Sequence, residues 1–124
     1  MGNISVIVPE ATTNEITNPS FELNTTGWTN NGMLTFSRSN TQVRKGFSSL
    51  NLESDAVADY VVSNTVANAD GGETWTASCW VYITSGDFKL TIQENNAGWS
   101  DKGSATSSTT GQWVEVTVTV TLSA

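Results

Sequence analysis

The 124-residue sequence contains no histidine, one cysteine and two prolines. Without histidine, neither a Ser-His-Asp nor a Cys-His catalytic arrangement can be assembled, and the usual zinc ligand sets lose their imidazoles. A lone cysteine, Cys79, excludes an intrachain disulfide. Basic residues are scarce: five Lys and Arg stand against twelve Asp and Glu, a formal net charge of −7. No basic patch interleaved with aromatics exists, so a nucleic-acid backbone would be repelled and nucleic acid is not an expected partner. Long apolar runs are missing too. The opening Met1–Glu10 carries only a very short one, without a basic stretch before it, and reads as neither a signal peptide nor a membrane span. The expectation is a chain that stays in the compartment where it is made unless something releases it, and that has no membrane partner. No segment of ten or more residues shows a helical period.

What is present is Thr, Ser, Asn and Gly in abundance, with charged residues at only 14%. The most ordered stretch is Gly72–Ile83. From Trp75 it alternates: Trp75, Ala77, Cys79, Val81 and Ile83 share one face, and Thr74, Thr76, Ser78, Trp80 and Tyr82 the other. The first face is apolar and is read as core, which makes Cys79 a buried inert thiol. The second is polar except for Trp80 and Tyr82, two aromatic plates set side by side among hydroxyls. That mixture suits a sugar ring, with C–H groups on its flat side and hydroxyls at its rim; the competing reading is that a loop or an edge strand covers the pair.

Shorter patterns surround this strand. Leu34, Phe36 and Arg38, then Leu50 and Leu52, then Tyr60–Val66 read as strands separated by turn residues. After Ser85-Gly-Asp87, Phe88, Leu90 and Ile92 point inward, while Lys89, Thr91, Gln93 and Asn95 point outward and could lie beside Trp80 and Tyr82. Residues 96–111 read as a long Ser, Thr and Gly-rich connection carrying Trp99, Asp101 and Lys102. Trp99 there either contacts a sugar or folds back over a sheet edge. The run Trp113–Leu122 places Val114, Val116, Val118, Val120 and Leu122 inward; Trp28 and Trp113 are read as core or as lids of the sandwich ends. Residues 1–15 form an arm and connector, with Ile4–Val8 as a strand ending at Pro9, and 16–124 form the domain. Seven or eight short strands of this kind predict an all-β antiparallel sandwich of jelly-roll type. The carboxylates Glu53, Asp55 and Asp59 gather at strand ends but pair no buried acid with an exposed base, so no enzyme is expected.

Several stretches taken in order resemble a known family: Asn18-Pro-Ser-Phe-Glu22, Thr26-Gly-Trp28, Gly46 with Ser49-Leu50, Gly72–Tyr82, and Gly111-Gln-Trp-Val114. They are similar to the carbohydrate-binding modules of families 4, 9 and 22, within the galactose-binding-like jelly rolls. Bacteriophage tail and virion proteins also carry domains that look like this. The resemblance implies a structural calcium, with Glu22 supplying a carboxylate oxygen and backbone oxygens coming from around Ser20 and from the Thr41–Lys45 loop. It also implies an Asp ligand after the Trp113 run, which this sequence does not contain through Ala124.

The expectation that follows is a non-catalytic, surface-displayed module. Trp80, Tyr82 and Trp99 would be its stacking plates, Gln93 and Asn95 its hydrogen-bonding groups, and a glycan its partner, with display on a phage virion surface. The alternative placement is a module of a secreted bacterial protein. The alternative function is structural: a capsid-decorating or tail domain using the same fold to contact other virion proteins. The Ile4–Val8 arm is expected to add to a sheet edge, in its own subunit or in a neighbour, and so to support a homo-oligomer.

Overall fold

The computed structural model describes residues 14–124. Its regular elements are eight strands: β1 (Thr29–Asn31), β2 (Thr35–Ser39), β3 (Ser49–Glu53), β4 (Tyr60–Val62), β5 (Thr74–Tyr82), β6 (Phe88–Asn95), β7 (Trp99–Ser107) and β8 (Trp113–Thr121). They pair antiparallel: β1 with β4, β2 with β3, β5 with β8, and β6 with β7. The all-β antiparallel sandwich expected from the alternation is what forms. The Ile4–Val8 segment and most of the expected arm lie outside the described residues.

The β5–β8 pair is the frame. It runs in unbroken register from Thr74 opposite Thr121 to Tyr82 opposite Trp113. Alternation puts Ala77 and Cys79 across from Val118 and Val116 on one face, where Val116, Val118 and Val120, with Ile83 beyond the strand end, make up the buried core. On the other face hydroxyls meet in cross-strand pairs, Thr74 with Thr121 at 3.3 Å and Thr76 with Thr119 at 2.9 Å. Threonine suits this position because its branched Cβ favours the extended backbone while its hydroxyl finds a partner across the ladder.

The β6–β7 pair covers the apolar face of that frame. A Cβ on Gly103 would stand 2.7 Å from Val120 Cγ1 and 3.5 Å from Val118 Cγ2, so β7 lies directly on the valine row and only glycine fits there. Ile92 is the register partner of Gly103 and turns the same way, as do the half-buried Leu90 and Ala105. At the rim of the contact Glu94 Oε1 accepts the Ser123 N–H at 2.9 Å, and Lys102 Nζ donates to Ser123 Oγ at 2.8 Å and lies 3.4 Å from Glu94 Oε2.

Residues 99–107 correct the expectation of a long connection over 96–111. They form a nine-residue strand because β6 offers a full-length partner, and because inward positions 103, 105 and 107 are Gly, Ala and Ser, small enough to approach the valines. Here the period of two is carried by side-chain size, not by hydropathy. The expected strand over Tyr60–Val66 is shorter, ending at Val62.

The Asn18–Trp28 stretch folds as a self-bonded loop. The Asn18 side-chain amide donates to the carbonyls of Asn24 (2.8 Å) and Thr26 (3.0 Å), and Trp28 Nε1–H donates to the Asn18 carbonyl at 3.0 Å. The Trp28 ring lies 5.1 Å from Phe21. These motif residues hold the loop closed, so Trp28 is a lid within it.

Candidate functional site

Trp80 and Tyr82 stand on the hydroxyl-bearing outer face of β5, as the alternation predicts. Across the ladder their partners are Glu115 and Trp113. Trp80 is 43% exposed, and the Arg44 guanidinium sits 3.5 Å above its ring centroid. Tyr82 meets Trp113 edge to face at 5.7 Å, both rings half-buried. Trp113 therefore belongs to the outer face, at the strand end, and not to the core, since Val114, Val116, Val118 and Val120 take the inward positions of its strand.

Gln93, Asn95 and Trp99 lie elsewhere. β6 is hydrogen-bonded to β7, not to β5, so the expected continuation of the Trp80 face onto Gln93 and Asn95 does not occur. Gln93 pairs with Asp101 and Asn95 with Trp99, at the turn end of the β6–β7 hairpin. The register shifts between Ile92 and Gln93, leaving Lys102 as the extra residue between Asp101 and Gly103. That bulge lets Lys102 reach inward to Glu94 while Asp101 still turns outward with Gln93.

Because Gly103 and Ile92 face the valine row, Gln93, Asn95, Trp99 and Asp101 face the opposite way. The five expected residues thus form two groups on opposite surfaces of the sandwich, one on each sheet. On the β6–β7 surface the groups are pre-ordered. Gln93 Nε2–H donates to Asp101 Oδ1 at 2.8 Å, and Asn95 Oδ1 accepts the Gly98 N–H at 3.1 Å across the turn. Trp99 is 57% exposed, more than Trp80, and opens the strand with no described aromatic or cationic group stacked on its ring. The outward positions beside it, Lys89, Thr91, Ser104 and Thr106, are all polar. Of these eight outward positions only Asp101 is acidic.

The expected calcium ligands meet a different neighbourhood. Glu22 does reach the 46–48 turn, where a Cβ on Gly46 would overlap Glu22 Oε1. Its oxygens face donors, though: the Phe47 N–H lies 3.0 Å from Oε2 and 3.2 Å from Oε1, and the Ser48 N–H 3.4 Å from Oε1. The Arg38 guanidinium donates to the carbonyls of Phe21 (2.7 Å) and Glu22 and to Ser48 Oγ (2.8 Å). A calcium ion takes about 6–8 oxygen ligands. Here the oxygens nearest the proposed position are engaged by this chain's own N–H groups, with a fixed positive charge among them. Thr41 and Lys45 are exposed, the Thr41 N–H donating to Ser39 Oγ at 3.1 Å. Ser20 borders a shallow cavity of about 350 Å³ with Thr17, Glu22 and Thr26. Among the described residues no group of three or more His, Cys, Asp or Glu side chains gathers. As arranged, these residues do not fit a calcium ion.

Asp59, Glu94 and Cys79 have structural surroundings. Asp59 Oδ2 accepts from Ser54 Oγ and from the N–H groups of Asp55 and Ala56, so the acidic strand-end cluster closes a turn. Burial works to raise the Glu94 carboxyl, but the Ser123 hydrogen bonds and the Lys102 charge outweigh it and hold it below the usual carboxylate range. Burial, then the nearby Glu115 charge, pushes the Cys79 thiol up to about 11, which keeps it a thiol and not a nucleophile at neutral pH.

Asp101, Arg44, Glu115 and Trp113 are the members of these two surfaces that sequence reasoning did not select. Trp113 could have been found, because it occupies an outward position of a cleanly alternating run. Asp101 depends on the bulge and Arg44 on a loop 36 positions before its contact, and neither leaves a local pattern.

A family model described as Carbohydrate binding domain matches residues 13–124. No curated protein and no solved structure matches the chain.

Proposed function

The chain belongs to the carbohydrate-binding domain family, and from that premise we propose that it binds a glycan without catalysis on the outer face of β6–β7. Trp99 is the stacking plate, and Gln93, Asn95 and Asp101 are the polar groups around it. The observation that carries this reading is the exposure of the Trp99 ring directly across from Asn95, with the Gln93–Asp101 pair one step further along the same face. A pyranose lays its C–H face on an indole and offers hydroxyls at its edge. Gln93 still has a carbonyl and a second N–H to give after bonding Asp101, and Asp101 keeps its second oxygen. Their mutual hydrogen bond orders both side chains before a ligand arrives, which lowers the ordering cost of binding.

Hydrolysis of a glycosidic bond generally uses two carboxyl groups flanking it. Among the described residues this face presents one, Asp101, an arrangement suited to holding a sugar. We place the module on a displayed surface, a phage virion, where adhesion needs no chemistry.

The test is a glycan array followed by titration of Trp99→Ala against each hit. Losing one plate should weaken binding by on the order of 1–3 kcal/mol, taking base–aromatic stacking as the analogue, or about 5- to 150-fold. The melting temperature should hold, because the ring is largely outside the fold. An unchanged affinity would refute the assignment.

A further inference from the structure

Resting on the reading of the chain as a sugar binder, we infer that it carries a second saccharide site on the opposite surface, around Trp80. Arg44 closes that site in the free protein, so one copy of the chain can bridge two polysaccharide strands. The two aromatic groups sit on outward faces of different sheets, with the valine core and Gly103 between them. No single ring or oligosaccharide end can touch both, yet each surface has the same parts: a part-exposed indole, a carboxylate and polar neighbours.

At Trp80 those parts are specific. Glu115 lies directly across the ladder, and its Oε1 accepts the Thr117 hydroxyl at 3.3 Å, which orients it along the strand beside the indole. Ser78 adds a hydroxyl on the same outward row, and the Tyr82–Trp113 pair forms an aromatic wall at the strand end. Arg44 rests on the ring at 3.5 Å, in the position a sugar face would take. An exposed cation–π contact is weak, and Arg44 sits exposed in the loop between β2 and β3, able to swing aside. The charges of Arg44 and Glu115 oppose each other at this spot. Local charge therefore favours a neutral, hydroxyl-rich ligand over either an anionic or a cationic one.

The test uses three neutral polysaccharides as probes: mixed-linkage β-glucan, xylan and galactomannan. Retardation in polysaccharide-containing native gels reads binding, and light scattering of mixtures reads bridging. The parent should be retarded and should raise scattering at substoichiometric protein. Trp99→Ala and Trp80→Ala should each stay partly retarded while losing the scattering rise, and the double variant should lose both. Arg44→Ala, a change at an exposed loop residue, should increase retardation severalfold when placed in the Trp99→Ala background, because it uncovers the Trp80 plate. If Trp99→Ala alone abolishes retardation and Arg44→Ala restores none, the second site is overturned and the first stands. If Trp80→Ala scatters like the parent, bridging through this face is overturned, and a role in protein contact takes its place. A parent that none of the three probes retards overturns both sites.

Discussion

Gly103→Ala probes the packing that separates the two surfaces. The added methyl would sit 2.7 Å from Val120 Cγ1 and 3.5 Å from Val118 Cγ2, whereas carbon atoms rest at about 3.5–4.0 Å. Val120 is 7% exposed and β-branched, so it has little rotamer freedom with which to yield. Either the sheets part by roughly the missing ångström or Val120 leaves its preferred rotamer, and overpacking of this kind costs about 1–3 kcal/mol. Against that, replacing glycine by alanine restricts the unfolded chain and returns about 0.4–1 kcal/mol. The balance is a net loss of about 0–2.6 kcal/mol, centred near 1.3, or up to about 10 °C in melting temperature for a domain of this size. Differential scanning calorimetry of Gly103→Ala, Val120→Ala and the double variant reads it. The two changes should be coupled, the double variant being less destabilised than the sum of the singles, because the smaller side chain makes room for the methyl. A Gly103→Ala protein as stable as the parent, with no coupling to Val120, would mean that β7 does not lie on the valine row. The opposite-surface placement of Trp99 and Trp80 would fall with it.

Three further outcomes follow from the site's surroundings. Glu94 has a lowered carboxyl pKa, so the stability it contributes is present above its ordinary pKa of 4.5 and is lost as pH falls through the lower folded value. Glu94→Gln should therefore be less stable than the parent near neutrality, and the gap should narrow on acidification; a gap constant with pH would refute it. The melting temperature should be the same in chelator and in millimolar calcium, and Glu22→Ala should lower it equally in both by loosening the 46–48 turn, whereas a calcium-dependent rise in the parent would restore the metal. Cys79 should resist iodoacetamide in the folded protein at pH 8 and react far faster in denaturant, since its half-buried setting pushes the thiol up to about 11; rapid native labelling would contradict that shift.

How much of this could be read from the chain depends on what each residue's pattern encodes. Strands β5 and β8 were legible because apolar and polar residues alternate over nine positions, and that alternation correctly turned Trp80 and Tyr82 outward and Cys79 inward. β7 was not, because Gly103, Ala105 and Ser107 are inward for their size and a hydropathy pattern cannot see that. Alternation assigns a face and says nothing about the neighbouring strand, so Gln93 and Asn95 could be turned outward but not joined to the right partner. The pairing with β7, and the bulge at Lys102 that brings Asp101 beside Gln93, arise only once the hairpin closes. The Asn18–Trp28 motif was legible for the opposite reason: its hydrogen bonds are local, within ten residues of one another.

The most direct test of the central claim watches the five tryptophans while a glycan binds. Each indole N–H gives its own resonance in a nitrogen–proton correlation spectrum, assignable by single substitutions. On titration with an oligosaccharide hit, the Trp99 resonance should shift progressively and saturably, while Trp28 and Trp75, half-buried with their indole N–H groups held by Asn18 and Glu73, stay in place. A saturable titration in which the Trp99 resonance does not move would contradict the assignment of the β6–β7 surface as the carbohydrate site.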